Sequence, residues 1–182
     1  MDRSMVERAK HGDREAFTSL AFSLSDTLFA VAHRILRDYD SAGDALQVTL
    51  LRMWQDLPSL RDVDLVERWS YRILVRACHD QLRQQRRRAP ALQLLPKPSP
   101  EPAPEQAIAD RDELARAFGR LPPDQRAALV LQHYRGLTMQ EIAEILDVPV
   151  GTVRSRLHYA KQAMRAAIEA DARPAAQEGR QA

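Results

Sequence analysis

The C-terminal third of the chain contains the residues whose types and spacing point most directly to a chemical task, the binding of phosphates and base edges. Between Thr152 and Arg165 there are four basic side chains and no acid. Arginine can donate two hydrogen bonds to guanine, and both arginine and lysine neutralise backbone phosphates. A second cationic run, from Arg76 to Arg88, has five arginines against the single acid Asp80. The sequence therefore predicts two nucleic-acid-binding surfaces.

Residues that could support catalysis or bind a metal ion are scattered along the chain. The histidines stand at positions 11, 33, 79, 133 and 158, with no metal-ligand spacing between them or to Cys78, and no glycine-rich phosphate loop is present. One cysteine excludes an internal disulfide framework, and a buried structural role is expected for it. We expect a protein that is not an enzyme and needs no cofactor.

The N-terminal residues contain no apolar segment typical of a signal peptide, and no apolar run approaches the roughly 18 residues that span a bilayer. A cytoplasmic protein without a membrane span is the resulting expectation. The formal net charge is only +2, so the distribution of charge, rather than its sum, indicates the partner.

Strong helix formers dominate the composition, glycine occurs only 6 times, and β-type alternation is absent, so the fold class is predicted to be all-α. Six of the 11 prolines lie between Pro90 and Pro104, where they would form a stiff, extended linker. The predicted organisation is two helical domains, at residues 1–89 and 105–172, joined by the linker 90–104 and followed by a disordered tail at 173–182.

Four helices are expected in the N-terminal domain. Asp13 and Asp26 would each cap a helix, a third would run from near Ser41 to Pro58, and a fourth from about residue 64 to about residue 87.

The C-terminal domain is also expected to have four helices, and its last two have the layout of a helix-turn-helix. Thr138 and Glu141 fit a capping box that opens the third helix. Asp147 begins a tight turn into a basic fourth helix, in the place where glycine is the usual left-handed residue. The small side chain of Ala143 would let the two helices approach, and Val153 would anchor the second against the first.

The outward face of that fourth helix would contact DNA. Its candidate DNA-binding residues are Thr152, Arg154, Ser155, Arg156, His158, Tyr159 and Lys161.

The stretch from Leu121 to Ile168, which includes GTVRSRL, resembles region four of the sigma-70 family, and the nearest resemblance is to its extracytoplasmic-function group. In the N-terminal half, GDREAFTSL, SAGDALQVTLLRMW and WSYRILVRACHDQLRQQRRR resemble successive helices of region two. The resemblance implies a factor that carries RNA polymerase to promoters and makes no RNA itself.

The resemblance also implies partners and the residues that meet them. Core RNA polymerase would be bound at the clamp of its largest subunit and at its flap, promoter DNA at the minus-ten and minus-thirty-five elements, and an anti-sigma factor is commonly present. The clamp would be contacted by Asp44, Gln47, Leu51 and Arg52. The minus-ten element would be bound by Arg72, Arg76, His79, Asp80 and Arg83, with a flipped base received by the loop 58–64.

Three positions depart from the family pattern: Val48 replaces an acid, Ser70 a leucine and Arg76 an asparagine. Two rival functions remain from the residues alone. One is a sigma-like interaction protein that sequesters an anti-sigma regulator without binding DNA. The other is an ordinary helix-turn-helix repressor or response-regulator output domain, which would leave the N-terminal half unexplained.

Overall fold

The computed structural model describes residues 2–92 and 109–178, with side chains described for 2–87 and 114–169. In these ranges every regular element is a helix, as the composition predicts. The helices are α1 (Arg3–Lys10), α2 (Arg14–Leu36), α3 (Tyr39–Asp56), α4 (Val66–Leu92), α5 (Ala109–Arg120), α6 (Pro123–His133), α7 (Met139–Leu146) and α8 (Val150–Glu178). Two short 3-10 turns, Leu57–Ser59 and Val63–Leu65, connect α3 to α4.

Helix α2 is continuous through Asp26, so the two helices expected here, the second capped by that residue, are one. Leu20, Leu24 and Leu28 are buried at four-residue spacing on both sides of Asp26. An uninterrupted apolar stripe makes one long helix more favourable than two, because every turn then buries a leucine against the bundle. Asp13 does cap the helix, since its carboxylate accepts from the backbone N–H of Ala16 at 3.0 Å.

Helix α1 precedes this bundle and was not predicted. The side chain of Asp2 accepts from the backbone N–H of Ser4, and the helix buries only Val6 and Ala9. Two buried residues over eight positions give too weak a periodic signal for a sequence-based prediction.

In the N-terminal half α1, α3 and α4 pack against α2, and α3 also packs against α4. In the C-terminal half α5, α6 and α7 pack against α8. The two groups also contact each other, α2 against α6 and α4 against α7. This second set of contacts determines which predicted binding residues are accessible.

Most of the predicted proline-rich linker lies outside the described residues. At its N-terminal side α4 continues to Leu92, past the predicted boundary at residue 89. Helix α8 likewise continues to Glu178, beyond residue 173 where a disordered tail was expected. None of the described helices is both long enough and apolar enough to span a bilayer.

Candidate nucleic-acid interface

The predicted helix-turn-helix is formed by α7 and α8. Thr138 Oγ1 accepts from the Glu141 backbone N–H at 3.3 Å, and the Glu141 carboxylate accepts from the Thr138 N–H at 2.9 Å, which confirms the capping box. These bonds to Thr138 lower the pKa of Glu141 and keep it ionised at the positive end of the helix dipole. The start of α7 is thus fixed by its own first turn.

The turn between the two helices is set by Asp147, which adopts the left-handed conformation at φ 55°. An L-residue is disfavoured there, but aspartate tolerates the region better than most residues. Ala143 and Val153 are both buried at the crossing of α7 and α8, as predicted. The crossing places α8 with one side in the core and the other facing outward.

We call the outward side of this helix the α8 face, formed by Arg154, Ser155, His158, Tyr159 and Lys161. All five are exposed. Within the part of the chain whose side chains are described, Arg154 forms no salt bridge, so its guanidinium can contact a partner without breaking an internal bond. The rings of His158 and Tyr159 lie edge-to-face with centroids 5.6 Å apart. The α8 face can therefore offer cationic, hydroxyl and aromatic groups to one groove of a duplex.

Two of the predicted residues on α8 have internal roles in the structure. Arg156 Nη2 lies 3.0 Å from Asp124 Oδ2 on α6, and the Arg156 side chain is only 22% exposed. Thr152 is half-buried, and its carbonyl oxygen accepts from the Ser155 hydroxyl at 2.9 Å. The Arg156–Asp124 pair ties α8 to α6, and Arg156 cannot reach a base without leaving Asp124.

We call the polar side of α4 the α4 face, formed by Arg72, Arg76, His79, Asp80 and Arg83. The opposite side of the helix is buried, including Tyr71, Leu74 and Cys78. Burial raises the pKa of the Cys78 thiol to about 12, which fits the expected structural role. The α4 face points away from the N-terminal bundle, but acidic residues of the C-terminal helices contact it.

The structure shows where two of the departures from the family pattern, Ser70 and Val48, are placed. Ser70 is fully buried, and its hydroxyl donates to the Glu67 carbonyl oxygen at 2.7 Å, so its polar group is satisfied within α4. Val48 lines a groove between α3 and α4 together with Arg52 and Asp80. In that groove Arg52 approaches Asp80 at 3.7 Å.

The predicted polymerase contacts lie on one side of α3. Asp44, Gln47 and Leu51 are exposed at three- and four-residue spacing, and Leu51 is 58% exposed despite being apolar. Arg52 is half-buried beside them. Trp54, by contrast, packs edge-to-face on Phe17 with ring centroids 5.0 Å apart and belongs to the bundle.

An apolar groove of about 610 Å³ lies between α5, α6 and α8 and was not predicted. Leu114, Phe118, Met164 and Ile168 line it, and Leu114 and Ile168 are more than a third exposed. Arg34 from α2 closes one end, with its guanidinium 3.8 Å from the centre of the Tyr134 ring. Tyr134 is 42% exposed, because α6 ends at His133.

The chain matches the family descriptions "Sigma-70 region 2" over residues 22–88 and "Sigma-70, region 4" over residues 111–164. It is 31% identical over 179 residues to the ECF RNA polymerase sigma-E factor of Escherichia coli, covering 90% of this chain and 92% of that one. It is 28% identical over 181 residues to the RNA polymerase sigma-H factor of Pseudomonas aeruginosa, covering 92% and 94%.

Solved structures show the same fold. CnrH in complex with the cytosolic domain of CnrY superposes with a TM-score of 0.69 at 23% identity, over 93% of this chain and 98% of that chain. The sigma factor RpoE in complex with the anti-sigma factor NepR from Bartonella quintana gives a TM-score of 0.69 at 24% identity, over 85% and 98%.

Proposed function

This chain belongs to the extracytoplasmic-function group of the sigma-70 family, and we propose that it directs RNA polymerase to specific promoters, where the complex initiates DNA-templated transcription. The observation that carries the promoter-reading part of this proposal is Arg154, which is exposed on the helix-turn-helix and forms no salt bridge among the described side chains. A guanidinium in a major groove can bind guanine through two hydrogen bonds, worth roughly 1–3 kcal/mol of discrimination.

The α8 face would read the minus-thirty-five element, with Ser155, His158 and Tyr159 beside Arg154 and with Lys161 on phosphates. Arg156 supports this helix from behind through its pair with Asp124, and Thr152 is half-buried in the first turn of α8. The α4 face would bind the unstacked non-template strand of the minus-ten element. The loop 58–64 would receive a flipped base. Unstacking that base costs a few kcal/mol, so contacts in the loop must compensate for the lost stacking.

Polymerase would be bound at two places. The exposed carboxylate, amide and leucine of Asp44, Gln47 and Leu51, with Arg52 beside them, suit the clamp of the largest subunit. The apolar groove between α5, α6 and α8 suits an amphipathic helix, which the polymerase flap or an anti-sigma factor would supply.

Run-off transcription tests the proposal. The chain is added to core polymerase with a library of promoter fragments, and we expect transcripts from a subset that shares two spaced sequence elements. Core polymerase alone is the control. A chain that neither joins core polymerase nor changes where transcripts begin would refute the proposal.

Binding of the purified chain to the same promoter fragments distinguishes this function from that of a sigma-like protein that only sequesters an anti-sigma regulator. Such a protein would not bind promoter DNA at any salt concentration. A DNA-binding chain loses affinity steeply as salt rises, because phosphate contacts release counterions.

A further inference from the structure

Helix α1 packs against both of the 3-10 turns that frame the loop 58–64. It lies outside residues 22–88, which match the family description of region 2, and none of the DNA or polymerase contacts proposed above uses it. The buried residues of α1 are Val6 and Ala9. Arg3 stands three residues before Val6 and therefore lies on the same side of the helix. The packed side of α1 thus also presents a cation to the loop.

Arg3 is bonded to the loop directly. Its Nη1 atom lies 2.6 Å from Asp64 Oδ2, across a separation of 61 residues in the sequence. The backbone N–H of Asp64 donates to Asp62 Oδ1 at 3.0 Å, so the main chain of Asp64 is held within the loop and its side chain is held by α1. Within the side chains that the structure describes, this ion pair is the one side-chain bond from the loop to a distant helix.

Helix α1 is itself held at both ends. At its start the Asp2 carboxylate accepts from the backbone N–H of Ser4 at 2.9 Å. At its other end Arg8 Nη2 lies 2.6 Å from Asp13 Oδ2, and Asp13 is the N-cap of α2. The direction of α1 is therefore fixed relative to α2, and Arg3 is brought to a defined place beside the loop.

The inner side of the loop adjoins the α4 face. Leu60 is buried and lines a cavity of about 160 Å³ together with Trp69 and Arg72 of α4 and residues of α7. Arg72 belongs to the α4 face, so a displacement of the loop would change the spacing between that face and the exposed polar groups of the loop. These polar groups are Ser59, Arg61, Asp62 and Asp64.

We propose that α1 is a positioning element for the flipped base, with Arg3 acting through Asp64 to set the place of the loop 58–64. This inference rests on the proposed function and adds to its minus-ten site a helix that does not itself contact DNA. Arg3 is a positioning residue, because it acts through Asp64 alone. An exposed ion pair contributes a factor of up to about five, so the expected effects are modest and confined to the loop.

Hydrogen exchange of the full-length free chain, followed by mass spectrometry, tests the contact without polymerase. The backbone N–H groups of Leu60 and Leu65 each donate to a carbonyl oxygen three residues earlier, so both amides report opening of the loop. In Arg3→Ala they should exchange about two- to fivefold faster, while the amides of α4 remain unchanged. Arg14→Ala, which removes an exposed arginine at the start of α2, is the control and should match the parent. Equal exchange of the loop in Arg3→Ala and the parent would overturn the proposal.

The second measurement is run-off transcription with core polymerase from templates substituted at each position of the minus-ten element. Arg3→Ala should reduce discrimination about two- to fivefold at one position, that of the flipped base, because only the loop has shifted. A uniform loss at all positions would overturn the positioning role, since it would show that Arg3 contacts phosphate. No transcription from the parent chain would contradict the proposed function, and the exchange measurement would still decide whether α1 holds the loop.

A charge exchange separates positioning from the simple loss of a cation. Arg3→Asp places two acids opposite each other, and α1 should persist because an acid in the first turn suits the positive end of the helix dipole. Adding Asp64→Arg re-forms the pair with reversed signs, so both loop exchange and base discrimination should return towards those of the parent. A double variant that behaves like Arg3→Asp alone would contradict the role of this pair.

Discussion

Replacing Arg154 with alanine should reduce discrimination between promoter sequences without changing folding or polymerase binding. Arg154 is exposed and has no ion pair within the described side chains, so the free energy of unfolding should change by no more than about 0.5 kcal/mol. Losing a bidentate contact to guanine should cost roughly 1–3 kcal/mol, equivalent to about five- to 150-fold in discrimination at one base pair.

The assay is run-off transcription from competing templates that differ at a single position of the upstream element. Arg165→Ala is the matched control, because Arg165 is exposed on the same helix and is expected to contact phosphates. Its loss should weaken all templates alike and reduce the dependence of affinity on salt.

An unchanged ranking of templates with Arg154→Ala would refute the assignment of the α8 face. A change of ranking of the same size with Arg165→Ala would also refute it, because general cationic attraction would then account for the effect. Co-purification with core polymerase should be unaltered in Arg154→Ala, since Arg154 lies neither on α3 nor in the apolar groove.

Other predictions concern polymerase binding, stability and titration. Asp44→Ala with Gln47→Ala should reduce co-purification with core polymerase by roughly tenfold while leaving the melting temperature unchanged, because both side chains are exposed. Thr138→Ala should lower the free energy of unfolding by about 1 kcal/mol in urea titrations, because it removes the cap of α7. The Cys78 thiol, with its pKa raised by burial, should react with iodoacetamide at pH 8 only in denaturant. Burial lowers the pKa of His79 below 6.5, although the nearby Asp124 carboxylate acts to raise it. Protonation of His79 therefore favours the unfolded chain. Its stabilising effect is therefore present above about pH 6.5 and is lost as the pH falls, and His79→Gln should flatten the fall in melting temperature between about pH 7 and pH 5.5.

The helix-turn-helix could be predicted because its signals are local. Thr138 and Glu141 are three residues apart, and each satisfies the other's first-turn N–H, so the pattern specifies its own geometry. Ala143 and Val153 are ten residues apart across one turn, and their burial follows from two consecutive helices packing on each other. The exposed side of α8 then follows from helical periodicity.

What the sequence did not reveal depends on contacts between distant residues. Asp147 was noted as unusual at its turn, but its partners Arg72 and Arg76 lie more than 70 residues earlier. Arg156 was expected on DNA, yet Asp124 on another helix holds it. Periodicity assigns a residue to a helix face and gives no information about which element covers that face.

Ion pairs within the chain reduce the charge that the α4 face presents to DNA, in a chain whose formal net charge is only +2. Acidic side chains of the C-terminal helices lie against cations of α4, so opposite charges partly cancel there and long-range attraction to arbitrary DNA is reduced. Exposed pairs of this kind contribute about 0–1 kcal/mol each and are screened by salt, so the whole set contributes only a few kcal/mol. Stronger, fully buried pairs would hold Arg72 and Arg76 too firmly for the DNA contacts that we propose for the α4 face.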